Sequence, residues 1–432
     1  MIASVSGIRG VVNEDLSLRE VYSLTSGFLS MTESSEVLLA RDTRRTGEMI
    51  RRVVTGVLLS KGKKVLDLGV ASTPALFRES RALQRPAIMI TASHNEPEFN
   101  GLKFLNEGRG LSTEGFEKMM AAKPVATEFQ PGRLKSATKA RYDEDLVGLF
   151  GPRSCEDIRV AVDLGGGAGI SHVERILGGL GCRIFTLNGS SGIFSRRVDP
   201  ISDPLKLLQR IVKERKCEIG LGFDCDGDRL AIVDNRGVKR SGDYMLTLAL
   251  SLVLPNQENR KVVVSVDTTQ AVDEVVKRCG GEVFRSRVGE ANVVGLMHAV
   301  GARYGGEGSS GGLIDGSFNF CRDSMLAAVT IIHAIRMSGT RVYGGVKSYH
   351  QSRRGVEMDR SKAQKAIRSL AKSVPDSDTT DGVKIVLTKD SWVLARPSGT
   401  ENVVRVSAEA GTKHKADEIA DRFSRRLLEL GK

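Results

Sequence analysis

Aromatic residues are scarce. Phe, Trp and Tyr together make up 5% of the 432 residues, which leaves few of the stacking platforms on which single-stranded nucleic acids are held. There is no apolar run long enough to cross a bilayer. The most apolar stretches, "LTLALSLVL" and "MLAAVTIIHAI", have the length of buried helices. The start, "MIASVSGIRGVVNEDLS", lacks the charged-then-apolar layout of a secretory leader. A cytoplasmic protein with no membrane partner is the expectation. Cysteine is thinly spread: Cys155, Cys182, Cys217, Cys225, Cys279 and Cys321 include no Cys-x-x-Cys pair and stand at no zinc-finger distance from histidine. Reduced, mostly buried thiols follow.

What is present is ordinary for a globular chain, 40% hydrophobic and 27% charged, and the length calls for two to four domains. The formal charge of +12 suits an anionic partner. The basic residues are scattered rather than gathered into tails, which favours a small phosphorylated molecule over nucleic acid.

Strand and helix patterns alternate. "VLLARD" reads as a buried strand, "GEMIRRVVTGVLLSKG" as a helix, "KVLDLG" as a strand, "PALFRESRAL" as a helix and "AIMITAS" as a third strand. The series restarts at "IRVAVDLGGGAG" and again at "RKVVVSVD", arguing for mostly parallel sheets covered by helices. Beyond about Gly355 a helix, a hairpin ("VKIVLTKDSWVLARPSG"), a strand and a final helix make a small α+β unit. Four domains are expected, over 1–150, 151–255, 256–355 and 356–432.

Four stretches could carry chemistry. In "GFDCDGDRLAIVD", Asp224, Asp226 and Asp228 stand two apart at the end of a predicted strand, where alternation puts their carboxylates on one side. Carboxylates so crowded repel one another unless a cation joins them, and oxygen ligands select a hard ion such as Mg²⁺. An EF-hand is excluded, because its glycine position holds Arg229 and its closing Glu position holds Asn235. In "ITASHNEPEFNGLKF", Ser93 is not in a Gly-x-Ser-x-Gly elbow, and His94 as immediate neighbour is badly placed to be its base. An ordinary polar turn is one reading. With a metal site in the same chain, a serine that carries a phosphoryl group is another.

In "ARPSGTENVVRV", Arg396, Ser398, Gly399, Thr400 and Arg405 suit a phosphate. "YGGEGSSGGLIDG" reads as a mobile loop whose Glu307, Ser309 and Ser310 fit sugar hydroxyls or an amine, with a flexible linker as the alternative. "SGIRG", "ARDTRR" and "SRVGEANV" are each weak alone. "GGGAG" lacks both Gly-x-Gly-x-x-Gly and a Walker lysine and reads as a tight structural turn.

The order of these motifs, from "SGIRG" to the last helix, resembles the α-D-phosphohexomutase superfamily. The resemblance implies three mixed-sheet α/β domains plus a C-terminal α+β domain around a central cleft. It implies an enzyme, an intramolecular phosphotransferase of the isomerase class, that interconverts hexose 6-phosphate and hexose 1-phosphate through a 1,6-bisphosphate. Ser93 matches the phosphoserine. Asp224, Asp226 and Asp228, with the phosphoserine oxygen, match the ligands of one Mg²⁺ per chain. Glu307 and Ser309 match sugar-loop positions, and Arg396, Ser398, Gly399, Thr400 and Arg405 the phosphate clamp. Arg9, Lys103 and Arg229 match basic cleft residues, Lys103 as a candidate for proton transfer, and His94 matches a histidine beside the phosphoserine. Arg287 stands where the family often has lysine. Glu96 replaces a frequent proline, "SVSGIRG" lacks the usual aromatic-Gly-Thr run, and "GEGSSGG" lacks a common histidine. A sugar phosphate is the implied partner, with neither nucleic acid nor membrane, for a monomer or homodimer. "RPSGTE" and the serine-bearing loop favour phosphoglucosamine mutase, with phosphomannomutase/phosphoglucomutase as the alternative. A phosphatase with Asp224 as nucleophile and a basic nucleic-acid binder are the readings from other classes.

Overall fold

The computed structural model describes residues 1–122, 130–138, 140–398 and 402–431. Three α/β units follow one another, each built on the same four strands. In the first, Glu36–Arg41 lies parallel to both Lys64–Val70 and Ala87–Ile90, and Ala87–Ile90 pairs antiparallel with Phe99–Asn106. The second repeats this order and these directions with Arg159–Asp163, Arg183–Leu187, Ile219–Phe223 and Leu230–Asp234. The third does so with Lys261–Ser265, Glu282–Ser286, Tyr304–Glu307 and Gly312–Asp315. Numbered along the chain, the strand order is 2-1-3-4 each time. The last strand is reversed because a short turn, not a helical crossover, leads into it. In the first sheet, Ile2–Ser4, Gly7–Val11 and Arg109–Gly110 are added beyond Phe99–Asn106, and Arg133–Ser136 lies on the opposite edge.

The repetition expected from alternation is therefore present, with one element misread. "YGGEGSSGGLIDG" is not a mobile loop. Tyr304–Glu307 and Gly312–Asp315 are buried, paired strands, and only 308–311 turn. Its glycines answer to packing rather than mobility. A Cβ on Gly306 would lie 2.4 Å from the Gly312 carbonyl, and one on Gly308 would lie 1.9 Å from Asp243 Oδ1.

The helices are started by local chemistry. Ser72 caps Thr73–Leu83 by accepting from the Ala75 amide, with Pro74 in the first turn. Asp323 caps Ser324–Ser338 by accepting from the Leu326 amide at 3.0 Å. The apolar core runs unbroken through the three units, from Leu38 and Met89 through Phe223 and Leu246 to Ile331 and Tyr343. Among the described residues no helix is long and apolar enough to cross a membrane.

The fourth unit is an antiparallel sheet of His350–Glu357, Val403–Ala410, Ser391–Pro397 and Val383–Thr388, in that spatial order. It is backed by the helices Arg360–Ser373 and Lys413–Leu430. Its first strand straddles the limit expected at 355/356. It has a core of its own and meets the third unit through a small apolar seam of Val266, Trp392 and Leu394, with Val288 against it.

Candidate active site

In each α/β repeat the turn from the third strand to the fourth carries candidate residues. It holds Ser93 and His94 in the first unit, Asp224, Asp226, Asp228 and Arg229 in the second, and Ser309, two residues after Glu307, in the third. All three turns leave the carboxyl end of a parallel strand, where open α/β sheets place their ligands.

The three aspartates sit in the turn itself, not on the strand whose alternation was expected to align them. A left-handed Gly227 (φ 72°) bends the chain, and one oxygen from each carboxylate lies within 4.8 Å of the others. The turn is held from outside. The Thr73 amide donates to the Asp226 carbonyl at 2.8 Å, and Thr73 Oγ1 donates to Asp226 Oδ2 at 2.6 Å. Ser324 Oγ donates to the Gly227 carbonyl at 2.5 Å. The "GGGAG" turn is also part of the support. The Ala168 amide donates to the Cys225 carbonyl at 2.7 Å, and a Cβ on Gly167 would lie 2.7 Å from the Asp224 carbonyl.

Burial, then Asp228 and Asp226, push the Asp224 carboxyl well above the usual range. Burial acts the same way on Asp228, but Arg322, Lys103 and Arg229 hold it well below that range. Asp226 Oδ1 is buried without a hydrogen-bond partner among the described residues. A hard divalent cation fits this donor set: it would satisfy that oxygen and relieve the mutual repulsion.

Ser93 is fully buried and left-handed (φ 50°). Its Oγ lies 3.2 Å from Asp224 Oδ2, 3.5 Å from Asp228 Oδ1 and 3.5 Å from His94 Nδ1. Burial, Arg229 and Arg9 push the His94 pKa far below its usual value, so its ring is neutral; Nε2 lies 3.3 Å from Arg229 Nη2. The residue that shapes this turn, Arg44, belongs to "ARDTRR", a stretch too short to stand out alone. Arg44 is buried. Its Nη1 donates to the carbonyls of Glu96 (2.5 Å) and Phe99 (2.9 Å), and its Nη2 to those of Ser93 (2.7 Å) and Asn95 (2.6 Å). Its Nε pairs with Asp42 at 3.1 Å.

Lys103 reaches the acidic turn from the strand beside Ser93, with Nζ 2.7 Å from Asp226 and 3.1 Å from Asp228. Burial lowers its pKa, but those carboxylates raise it more, and it is a firmly held cation. Arg9 Nη1 donates to Asn95 Oδ1 at 3.1 Å. Arg229 Nη1 pairs with Asp199 at 3.3 Å.

Arg322 has no motif around it, and sequence reading passed it over. Its Nη2 lies 2.8 Å from Asp228, its Nη1 3.0 Å from Glu307 and its Nε 3.2 Å from Glu290. One buried guanidinium thus joins the acidic turn to the glutamate of the third unit. Glu307 also accepts from the Gly289 amide at 2.7 Å.

These turns open on a cleft of about 590 Å³ that reaches the fourth unit. His94, Arg229, Glu307, Ser309, Arg396 and Arg405 line it, and so do Arg322, Arg353 and Arg354. Arg396 and Arg405 are direct cross-strand partners. Like charges placed opposite each other on a sheet are unfavourable without an anion between them, and guanidinium forks bind phosphate well. Among the described residues, Arg396 Nη1 has a long contact of 3.8 Å with Asp381. The Ser398 amide donates to the Val403 carbonyl at 2.8 Å, joining the two strands at this end. Gly399 and Thr400 lie outside the described residues. Arg287 is not brought to the cleft: it is exposed, and its Nε donates to the Thr380 carbonyl at 3.2 Å, on the fourth unit.

The geometry agrees with comparisons to known proteins. Models of the phosphoglucomutase/phosphomannomutase family match four segments: alpha/beta/alpha domain I over residues 1–124, domain II over 142–237, domain III over 241–351, and the C-terminal domain over 355–426. The chain is 31% identical over 434 residues to a Pyrococcus abyssi protein named "Probable phosphoglucosamine mutase", covering 96% of this chain and 95% of the relative. It is 32% identical over 449 residues to a Thermococcus kodakarensis protein named "Phosphoglucomutase/phosphomannomutase", covering 98% and 96%. In fold it matches the crystal structure of a phosphoglucomutase/phosphomannomutase family protein from Burkholderia thailandensis, with a TM-score of 0.85 at 24% identity over 100% of this chain and 98% of that one.

Proposed function

The chain belongs to the phosphoglucomutase/phosphomannomutase family, a phosphohexomutase and hence an isomerase, and from that premise we propose how its residues share the work and which sugar it takes. The observation that carries the reading is the position of Ser93 Oγ, buried 3.2 Å from Asp224 and next in sequence to His94, which lines an arginine-rich cleft.

Ser93 is the phosphoryl carrier. Its phosphorylated form gives the phosphoryl group to the free hydroxyl of a bound hexose monophosphate, and a 1,6-bisphosphate results. The bisphosphate turns over in the cleft, and Ser93 takes back the other phosphate. Asp224, Asp226 and Asp228 hold Mg²⁺ beside the serine. Mg²⁺ bound there supplies neutralising charge for the transferring group. Arg396 and Arg405, with Ser398 and its neighbours in sequence Gly399 and Thr400, hold the phosphate that is not reacting. That site must accept the ligand in both orientations, and arginines and turn amides read a phosphate without reading the sugar attached to it. Arg9 and Arg229 add positive charge near the transferring group. Lys103, held as a cation, fits the proton-donating side of the transfer. His94, held neutral, fits an acceptor role. Glu307 and Ser309 face the sugar.

The sugar is glucosamine phosphate, supported by the serine-bearing turn and by the name of the Pyrococcus relative. The name of the Thermococcus relative keeps mannose and glucose phosphates as the second reading. ³¹P NMR with Mg²⁺, a trace of bisphosphate and the 1-phosphates of glucosamine, glucose and mannose in turn separates them. Preferential formation of glucosamine 6-phosphate is expected. Release of inorganic phosphate with no 6-phosphate from any sugar would instead favour Asp224 as the nucleophile of a phosphatase.

A further inference from the structure

The cleft is not uniformly cationic. Arg229 enters it from the second unit and Arg353, Arg354, Arg396 and Arg405 from the fourth, whereas the wall from the third unit brings two carboxylates, Asp267 and Glu307, beside the single guanidinium of Arg322. These two differ in their commitments. Glu307 spends one oxygen on the Gly289 amide and the other on Arg322. Asp267 lies just past the carboxyl end of Lys261–Ser265. Its Oδ1 accepts from Ser265 Oγ at 2.6 Å, and its main-chain carbonyl accepts from Gln351 Nε2 at 3.1 Å. No donor among the described residues reaches its Oδ2. The ion pairs of the cleft engage Arg229, Arg322 and Arg396 with other acids and leave Asp267 out. It is 7% exposed, and it lines the cleft.

A near-buried carboxylate without a cation is costly unless a ligand completes it. Its neighbourhood holds charge of both signs: Asp267 acts on Glu307 as a like charge and on buried Lys384, whose Nζ is spent on the Val266 carbonyl at 2.7 Å, as an opposite one. A cationic group on the ligand relieves both acids. A phosphate held by the arginines on one side and an ammonium held by acids on the other describes a zwitterionic ligand, and an amino-sugar phosphate is one.

We propose that Asp267 is a specificity-determining residue whose carboxylate accepts a hydrogen bond from the ammonium group of an amino-hexose phosphate. It thereby favours that sugar over one with a hydroxyl at the same carbon. This rests on the glucosamine reading above and gives it a residue. The charge of Asp267, not merely its acceptor oxygen, makes the distinction: a neutral amide oxygen serves a hydroxyl nearly as well, but not an ammonium.

The test is Asp267→Asn, which removes the charge and keeps the shape. A charged hydrogen bond contributes about 1.5–3 kcal/mol, so kcat/KM for glucosamine 1-phosphate is expected to fall about 10- to 100-fold, while that for glucose 1-phosphate stays within about threefold. Retained glucose 1-phosphate turnover also shows that the variant folds. Asp267→Ser, smaller and also neutral, gives the same comparison should the amide variant fail to fold. Equal loss on both sugars in a folded variant, or no loss on either, overturns the role of Asp267 while leaving glucosamine as the substrate. Wild-type enzyme with no preference for the amino sugar overturns the substrate reading and the role of Asp267 together.

Discussion

Arg44 Nη2 donates to the main-chain carbonyl of Ser93 at 2.7 Å, and the same guanidinium takes three further carbonyls of that turn. The left-handed Ser93 is a strained conformation worth roughly 1–3 kcal/mol, and this clasp sustains it. Arg44→Lys keeps the charge and loses the fork. We expect turnover to fall about 100-fold through misplacement of Ser93, with KM for sugar phosphates nearly unchanged, because Arg44 does not line the cleft. Arg44→Ala leaves Asp42 buried and unpaired, at a cost of about 3–5 kcal/mol, read as a lowered melting temperature. A raised KM with unchanged kcat in Arg44→Lys would contradict a role in placing Ser93.

Ser93→Ala removes the hydroxyl proposed as the phosphoryl carrier and little else. The contacts of its Oγ with Asp224 and Asp228 are long, 3.2 and 3.5 Å, and alanine meets the same backbone strain as serine. Mutase turnover is expected to vanish while the melting temperature stays within a few degrees of wild type. Turnover that survives would exclude Ser93 as the carrier.

Arg396→Ala leaves Arg405 without its cross-strand partner in phosphate binding. One charged hydrogen bond is worth about 1.5–3 kcal/mol, so KM should rise about 10- to 100-fold for glucosamine, glucose and mannose phosphates alike. An effect confined to one sugar would show that Arg396 reads the sugar rather than the phosphate.

Asp243 sits under the Glu307 turn, and burial, then Glu409, raise its carboxyl to about 7. The folded state therefore holds a proton between about pH 4 and pH 7 that the unfolded chain has released. Stability contributed here is full below about pH 4 and declines as pH rises to about 7, by up to about 4 kcal/mol, then stays flat. Asp243→Asn keeps the acceptor for the Thr269 amide and removes the titration. Denaturation midpoints at pH 5 and pH 8 should converge in the variant and differ in wild type. An unchanged difference would assign the pH dependence to another group.

The parts legible in the sequence are those encoded by neighbours. Alternating apolar runs mark the three α/β units, and Asp224, Asp226 and Asp228 announce a cation site because their spacing is local. Ser93 gains meaning only once that site is known. Arg44, Arg322, Arg353, Arg354 and Asp267 stay hidden because each is one charged residue in an unremarkable context. The contacts that tie Arg322 and Arg44 to the site lie far along the chain, Asp228 94 residues from Arg322 and the Ser93 carbonyl 49 residues from Arg44. Glycine misled at 304–316, because a dense glycine run reads alike whether it frees a loop or lets two strands and a helix approach closely.

The threefold recurrence of one hairpin has an evolutionary consequence. The same connection recurs in three consecutive units and presents Ser93 in one, Asp224, Asp226 and Asp228 in the next and Ser309 in the third. The copies are nevertheless tied together: Arg322 bridges Asp228 and Glu307, and the Leu230 amide donates to the Gly311 carbonyl at 3.1 Å, so a change in the third turn has to stay compatible with the second. A graft meant to move the proposed sugar preference between lineages therefore has to carry Asp267 and Arg322 along with residues 304–316.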